Sequence, residues 1–309
     1  MSNEFKHLNL HSAQYFDDVR DHWWNEDYLR WLSSRWRVEG IRSALDVGCG
    51  VGHWGRLIGR TLPEACIITG VDREALWAEK ATERAAAAGL SGRFKYQAGC
   101  AEELPFPDNS FDMVTCQTVL MHLREPEVAL REMLRVLRPG GLVLVTEPNH
   151  IVQPVLADAV ALKESPESAA ALLRFQLHCH RGKAAVGEGN DLIGESLPAL
   201  FASAGLRDVE IRMNDRVNPF VPPYDTAQAR SQVEQLEDLI DRDHWMWNRA
   251  TTLRYFVAGG GRAEDFERHW GNLSDFLRRI MDAITAGTYH GAGGGIVYIG
   301  WGRKPVTPG

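Results

Sequence analysis

Asp46, Gly48, Gly50, Gly52 and Asp72 are the residues of this 309-residue chain whose types and spacing could do chemistry. In Ala44-Leu45-Asp46-Val47-Gly48-Cys49-Gly50-Val51-Gly52 an apolar run ends in an acid, and three glycines then alternate with small residues. Glycine lets a backbone turn sharply and come close to a ligand. A second apolar run, Ile67-Ile68-Thr69-Gly70-Val71-Asp72, also ends in an acid. There a carboxylate can accept hydrogen bonds from ribose hydroxyls. The glycine spacing is G-x-G-x-G, not the dinucleotide pattern G-x-G-x-x-G. Asp46 precedes the first glycine, where a carboxylate serves a pyrophosphate poorly and serves a ligand with sulfonium and ammonium groups well. NAD is the next competitor.

The elements that must position these residues follow from pattern. The run 43–47 reads as a strand, His53–Leu62 as a helix and Ile67–Asp72 as a second strand, which is one βαβ unit. Glu74–Ala88 is rich in helix formers and ends at Gly89. Phe94–Ala98 reads as a third strand, Asp108-Asn109-Ser110 as a turn and Phe111–Cys116 as a fourth strand. Glu125–Leu137 is an amphipathic helix burying Val128, Leu130, Met133, Leu134 and Leu137; Pro139-Gly140-Gly141 stops it, and Leu142–Glu147 is the fifth strand. Strands and helices alternating over short loops argue for a parallel sheet covered on both faces. Residues 1–42 read as helical, with Tyr15, Phe16, Trp23, Trp24, Tyr28 and Trp31 on repeating faces. Beyond 150 the pattern gives a helical stretch, a loop His178-Cys179-His180-Arg181-Gly182, a helix Leu192–Ala204 and a sixth strand Asp208–Met213. Helices Thr226–Asn248 and Ala263–Ala286 and a last strand Gly295–Trp301 complete it.

The D-x-G-x-G-x-G segment and the acid ending the second strand are joined by further segments in order. Gly99-Cys100-Ala101-Glu102-Glu103-Leu104-Pro105-Phe106 is similar to G-D-A-x-x-L-P-F, Pro107-Asp108-Asn109-Ser110-Phe111-Asp112 to P-D-x-S-F-D, and Arg135-Val136-Leu137-Arg138-Pro139-Gly140-Gly141 to R-V-L-K-P-G-G. Together they resemble the class I S-adenosylmethionine-dependent methyltransferases, in particular the UbiE-like, type 11 small-molecule enzymes. The likeness covers 43–150 closely and 192–213 loosely. It implies an α/β, Rossmann-like fold: a mostly parallel seven-stranded sheet, helices on both faces, and a closing antiparallel hairpin split here by a helical cap insertion.

The expected organisation is an N-terminal helical segment covering the site (1–42), a cofactor-binding core (43–150), a substrate-side insertion with a helix and the sixth strand (151–222), a helical cap (223–290), and a last strand and tail (291–309). The implied cofactor is S-adenosyl-L-methionine, with S-adenosyl-L-homocysteine as product. By the resemblance Asp46, Gly48, Gly50 and Gly52 meet its methionine part, Asp72 its ribose, Arg73 the neighbourhood of the adenine, and Gln117 the methionine moiety. The family's adenine-holding Asp is Cys100 here, a poor acceptor. The ring edge then falls to the backbone of Ala101, with Glu102 as a substitute acceptor.

Methyl transfer from a sulfonium is an in-line displacement, so the protein must exclude water, align the nucleophile and, for an alcohol or phenol, take up a proton. Candidate bases are His122, Glu147, His150, His178 and His180, with His122 and Glu147 the catalytic choice. The bland readings are a helix-start histidine and a capping carboxylate. Trp23, Trp24, Asn149 and His150 are the substrate-side candidates; aromatic faces suit a sulfonium, and Tyr15 and Tyr28 share that option. Trp245 and Trp247 could cover substrate or pack a core. His178, Cys179 and His180 lack a second cluster, so no metal is expected.

The formal net charge of −7, from 34 Lys and Arg against 41 Asp and Glu, argues against a general nucleic-acid or anionic-membrane binder. The start of the chain lacks a signal-peptide apolar core, and no apolar run is long enough to span a bilayer. The five scattered cysteines fit reduced thiols and a cytoplasmic protein. The expectation is a small-molecule methyltransferase, monomer or homodimer, with no nucleic acid or membrane partner and with its acceptor unnamed. The alternatives are an NAD-type Rossmann oxidoreductase and a non-catalytic S-adenosylmethionine-binding protein.

Overall fold

Ala44-Leu45-Asp46-Val47 and Leu142-Val143-Leu144-Val145 are buried along their whole length, as strands covered on both faces must be. The computed structural model describes residues 23–151, 158–215, 217, 219–292 and 295–306. Seven strands form one sheet: β1 (Ser43–Val47), β2 (Ile67–Asp72), β3 (Phe94–Ala98), β4 (Phe111–Gln117), β5 (Leu137–Pro148), β6 (Arg207–Met213) and β7 (Val297–Arg303), in the order β3-β2-β1-β4-β5-β7-β6. β1 to β5 pair in parallel, and β7 runs antiparallel to both β5 and β6. This is the expected Rossmann-like α/β sheet with its closing hairpin.

The helices are α1 (Glu26–Trp36), α2 (His53–Gly59), α3 (Ala75–Ala87), α4 (Pro126–Val136), α5 (Pro166–Ala185), α6 (Leu197–Ser203), α7 (Ala227–Asp241), α8 (Arg249–Ala258) and α9 (Phe266–Thr285). The chain divides into two compact units. The sheet unit holds Trp24–Asn149, Leu192–Asp215 and Ile296–Gly309; the helical unit holds Met1–Trp23, His150–Asp191 and Arg216–Gly295. In the sheet unit α3 ends where Gly89 turns left-handed and Leu90 N–H reaches back 2.8 Å to the Ala85 carbonyl. α4 starts with Pro126 at its first turn and buries Ala129, Leu130, Met133 and Val136. The P-D-x-S-F-D and R-V-L-K-P-G-G segments serve the scaffold. Arg135 donates to the Leu104 and Phe106 carbonyls and to Asp108, while Asp112 accepts the Arg42 and Ser43 N–H groups at 2.9 and 3.0 Å.

Several element bounds differ from the sequence reading. Pro139-Gly140-Gly141 does not end the helix. α4 stops at Val136 and β5 begins at once at Leu137, which pairs with Phe111 ahead of an irregularity in the ladder. The expected helix Thr226–Asn248 breaks after Asp241. Asp243 is left-handed (φ 51°) and Asn248 caps a new helix by accepting the Thr251 N–H at 2.9 Å. That helix, α8, was not read from the sequence.

The loop expected at His178–Gly182 is helical. Ser165 caps α5 from the Ser168 N–H, Pro166 sits in the first turn, and twenty residues continue to Ala185. Gly182 breaks nothing; it lets α5 approach the backbone of α8 at Tyr255 and Gly259. The helical unit is built around Phe175, Cys179, Tyr255, Phe256, Phe266, Trp270 and Leu273. The readings of Tyr15 and Phe16 fall outside the described residues.

Candidate functional site

The carboxyl ends of the parallel strands bring the predicted residues of the sheet unit together. Asp46 and Val47 end β1, and the chain then turns through three left-handed glycines, Gly48 (φ 66°), Gly50 (φ 50°) and Gly52 (φ 76°), into α2. Glycine holds such angles at no steric cost. A side chain at Gly48 would strike Val119, and one at Gly52 would strike the Tyr96 hydroxyl. Gly70 on β2 is small for the same reason: the Tyr96 ring and the Cys49 side chain lie over it.

Asp46 is 1% exposed. Its Oδ2 accepts the Gly55 N–H at 2.9 Å from the first turn of α2, and its Oδ1 is buried with no hydrogen-bond partner. Burial pushes its carboxyl up to about 8; the Gly55 N–H works against the rise and the Asp72 charge adds to it. Asp72 is buried as well. Its Oδ2 accepts the Gly50 N–H at 2.9 Å and its Oδ1 the Glu74 N–H at 3.0 Å. One carboxylate thus holds both the glycine turn and the start of α3. Arg73, next to it, is exposed.

After β3, Cys100 opens a tight turn in which Glu103 N–H donates to its carbonyl at 3.2 Å. The Cys100 thiol donates to Glu102 Oε2 at 2.9 Å, and that bond, with burial second, raises the thiol's pKa. Cys100 therefore orients a carboxylate at the place where the resemblance calls for one. Ala101 packs against the main core of the unit. Gln117 ends β4, is 7% exposed, and keeps its amide Nε2 buried without a partner.

Glu147, on β5, is fully buried. Its Oε1 accepts the Val119 and Leu120 N–H groups at 2.9 and 2.8 Å, and its Oε2 accepts that of Met121 at 3.3 Å. It caps the short 3-10 turn Leu120–His122 and so sets Val119 against Gly48. His122 closes that turn in an exposed position, its N–H on the Val119 carbonyl. Replacing Glu147 by Ala leaves these donors to compete for water. The expected result is a loss of about 2 kcal/mol, seen as a lower urea midpoint at unchanged slope, with Glu147→Gln losing less. An unaltered midpoint would remove Glu147 from this capping role.

The four substrate-side candidates separate. Trp24 is buried in the sheet unit, its ring 5.0 Å from Trp54, whose Nε1 donates to Thr115 Oγ1 at 2.8 Å. Asn149 is buried there too, its N–H on the Ile296 carbonyl. Trp23 and His150 belong to the helical unit. Tyr96 was missed. Its hydroxyl is buried without a partner, and its ring closes over the glycines. Its signal is the period of two that puts Tyr96 and Ala98 on one face of β3. Among the described residues, no group of three or more His, Cys, Asp or Glu is arranged to hold a metal, and no helix is long and apolar enough to cross a membrane.

Residues 45–145 match the methyltransferase-domain family. The chain is 36% identical over 140 residues to a demethylmenaquinone methyltransferase of Staphylococcus aureus (strain MRSA252); the match takes in 44% of this chain and 57% of the relative, so it spans little more than half of that protein. Among solved structures it is similar to the YcgJ protein of Bacillus subtilis (TM-score 0.51, 20% identity, 91% of this chain and 100% of that one). It is also similar to the SpnF cyclase (TM-score 0.50, 22% identity, 95% and 92%). These two likenesses speak for the fold alone, and a cyclase among them shows that the fold does not choose the reaction. The glycine turn and its two acids, Asp46 and Asp72, all lie within the segment 45–145 that matches the methyltransferase-domain family, and the sheet that carries them has the fold of its structural neighbours.

Proposed function

We propose that this chain transfers a methyl group from S-adenosylmethionine to a small molecule in the cytoplasm. One observation carries the reading: a buried carboxyl, Asp46, keeps one oxygen unpartnered beside a glycine turn, and two more unpartnered polar atoms, Gln117 Nε2 and the Tyr96 hydroxyl, are buried in the same unit. Buried polar atoms without partners are few in native proteins and mark places where a ligand completes the hydrogen bonding. An acceptor at Asp46 and a donor at Gln117 fit the ammonium and carboxylate of a methionine group. Asp72 would take the ribose hydroxyls, and the Cys100-Ala101-Glu102 turn, with Arg73 beside it, the adenine.

Bound there, the cofactor supplies an activated methyl on a sulfonium. The chain's own residues bind, orient and keep water away. His122, exposed at the end of its turn, is the residue proposed to take a proton from the acceptor where one must leave. Glu147 positions it by capping the turn. Trp24 and Asn149 of the sheet unit are the proposed substrate-side contacts. The formal charge of −7 supports a small-molecule acceptor over nucleic acid.

Calorimetric titration with S-adenosylmethionine, S-adenosylhomocysteine and NAD tests the reading. Binding of the first two and not of NAD is expected, and tight binding of NAD alone would overturn it. Asp72→Ala should weaken S-adenosylhomocysteine by about 1–3 kcal/mol, the worth of charge-assisted hydrogen bonds. Wild-type affinity would take Asp72 out of the site.

A further inference from the structure

At the other end of the sheet from the glycine turn lies a cleft that the cofactor site does not use. Its volume is about 330 Å³, and residues of the sheet unit alone line it. Leu142, one of them, comes five residues before Glu147 on β5, about 16 Å back along the strand. Three cations, Arg35 and Arg37 at the end of α1 and Arg303 on β7, share the cleft with two carboxylates of β6, Asp208 and Glu210. Arg37 closes α1 with a left-handed backbone (φ 51°), and Asp208 is left-handed as well (φ 52°). Side chains make that conformation costly, and residues held in it gather where ligands are clamped.

The charges of the cleft do not cancel. Arg35 is spent on Glu210, its Nε and Nη2 each donating to one carboxylate oxygen at 3.2 Å, and Arg212 adds a third bond at 3.1 Å. Arg303 is half-buried and gives Nη1 to the Gly140 carbonyl at 3.3 Å and Nη2 to the Trp36 carbonyl, two neutral acceptors. Burial, and then the Arg37 charge, push its pKa down, and the Asp208 charge does not make up the difference. Among the described residues Arg37 has no ion pair. A half-buried guanidinium beside a second, unpaired one is short of an anion. Trp36, which lines the same cleft, keeps its indole N–H buried without an acceptor. The C-terminus of α1 brings a partial negative charge, yet its Trp36 carbonyl is already taken by Arg303.

We infer that this cleft binds a small organic monoanion, a carboxylate whose oxygens accept from Arg37 and Arg303 while its apolar body lies against Val209 and Trp301. The count of charges selects the monoanion. Three guanidinium groups against two carboxylates leave one positive charge, and a phosphate dianion would bring a second negative charge beside Asp208 and Glu210. A planar guanidinium also matches the geometry of a carboxylate. Val209 is 39% exposed and is the apolar surface that the ligand's body covers. The volume is that of a small-molecule site. Binding here does not depend on the methyl-transfer reading.

Benzoate is the probe, with benzamide as its uncharged counterpart and inorganic phosphate as the dianion. Each is titrated into the full chain while the indole N–H resonances are followed by nitrogen–proton NMR. Benzoate should shift the Trp36 or Trp301 signal saturably at millimolar concentration. It should bind at least about tenfold more tightly than either of the others, the worth of one hydrogen bond to a charged group. Arg37→Gly is the deciding variant. Glycine suits the left-handed turn, so the fold is kept while the unpaired cation goes, and benzoate should weaken at least about tenfold. The comparison of the three probes on the wild-type chain stands even if that variant does not fold. An absent or unsaturable benzoate shift, benzamide or phosphate binding as well as benzoate, or undiminished benzoate affinity in folded Arg37→Gly would overturn the proposal.

Discussion

Gly182→Ala is expected to cost the helical unit about 3–5 kcal/mol, enough to unfold it at ordinary temperature. α5 and α8 touch backbone to backbone. A methyl group at Gly182 would fall inside the contact radius of the Tyr255 carbonyl oxygen, and one at Gly259 would do the same to the His178 carbonyl. Neither obstacle is a flexible side chain, so neither can swing away; the helices must separate and expose the Phe175, Phe256 and Phe266 core. Gly271 on α9 is the internal control. It has open space around it, and Gly271→Ala should stabilise by about 0.5–1 kcal/mol through helix propensity. Near-ultraviolet circular dichroism, dominated by tryptophans such as Trp245, Trp247 and Trp270, reads both. A Gly182→Ala protein that melts like wild type would mean that the two helices are not so close.

That glycine also shows why parts of the fold were legible in sequence and others were not. A glycine after an apolar run, with an acid before it, has one economical reading, because glycine takes positive φ at no steric cost; Gly48, Gly50 and Gly52 are therefore legible from the chain alone. Gly182 follows His178, Cys179 and His180, all modest helix formers, and glycine in such company reads as a breaker. Its true reason, a second helix crossing above it, lies in contacts more than seventy residues away along the chain. Glu147 is the same case. Its place at the end of β5 was legible, but its role depends on three N–H groups of a turn that no local pattern joins to it. The helix after Trp247 was missed because its cap, Asn248, stands beside aromatic residues that read equally well as a continuing helix. Local chemistry was readable where one residue type answers one backbone demand, and lost where two distant segments answer each other.

Asp46 combines both cases, and it gives the largest expected effect on cofactor affinity. Its type and position were legible; its burial and its orphaned Oδ1 were not. With its carboxyl raised to about 8, it carries a proton in the free protein at pH 7. A cation set beside Oδ1 favours the ionised form, so binding must expel that proton. Affinity for S-adenosylhomocysteine should therefore climb about tenfold per pH unit between about pH 6 and 8. Above that the carboxylate is already ionised, so the affinity levels off there.

Without ligand the sign reverses. A carboxyl whose folded pKa lies above its unfolded value favours the protonated fold, so the free sheet unit should lose stability as pH rises from about 4 to about 8. Asp46→Asn keeps an acceptor for the Gly55 N–H and discards the charge. It should weaken binding at least a hundredfold at pH 8, about 3 kcal/mol, and flatten both profiles. Calorimetry in buffers of different ionisation heat counts the released proton directly. A wild-type affinity that is level from pH 6 to 8, or a slope that survives in Asp46→Asn, would place the cation elsewhere and leave the glycine turn without its electrostatic purpose.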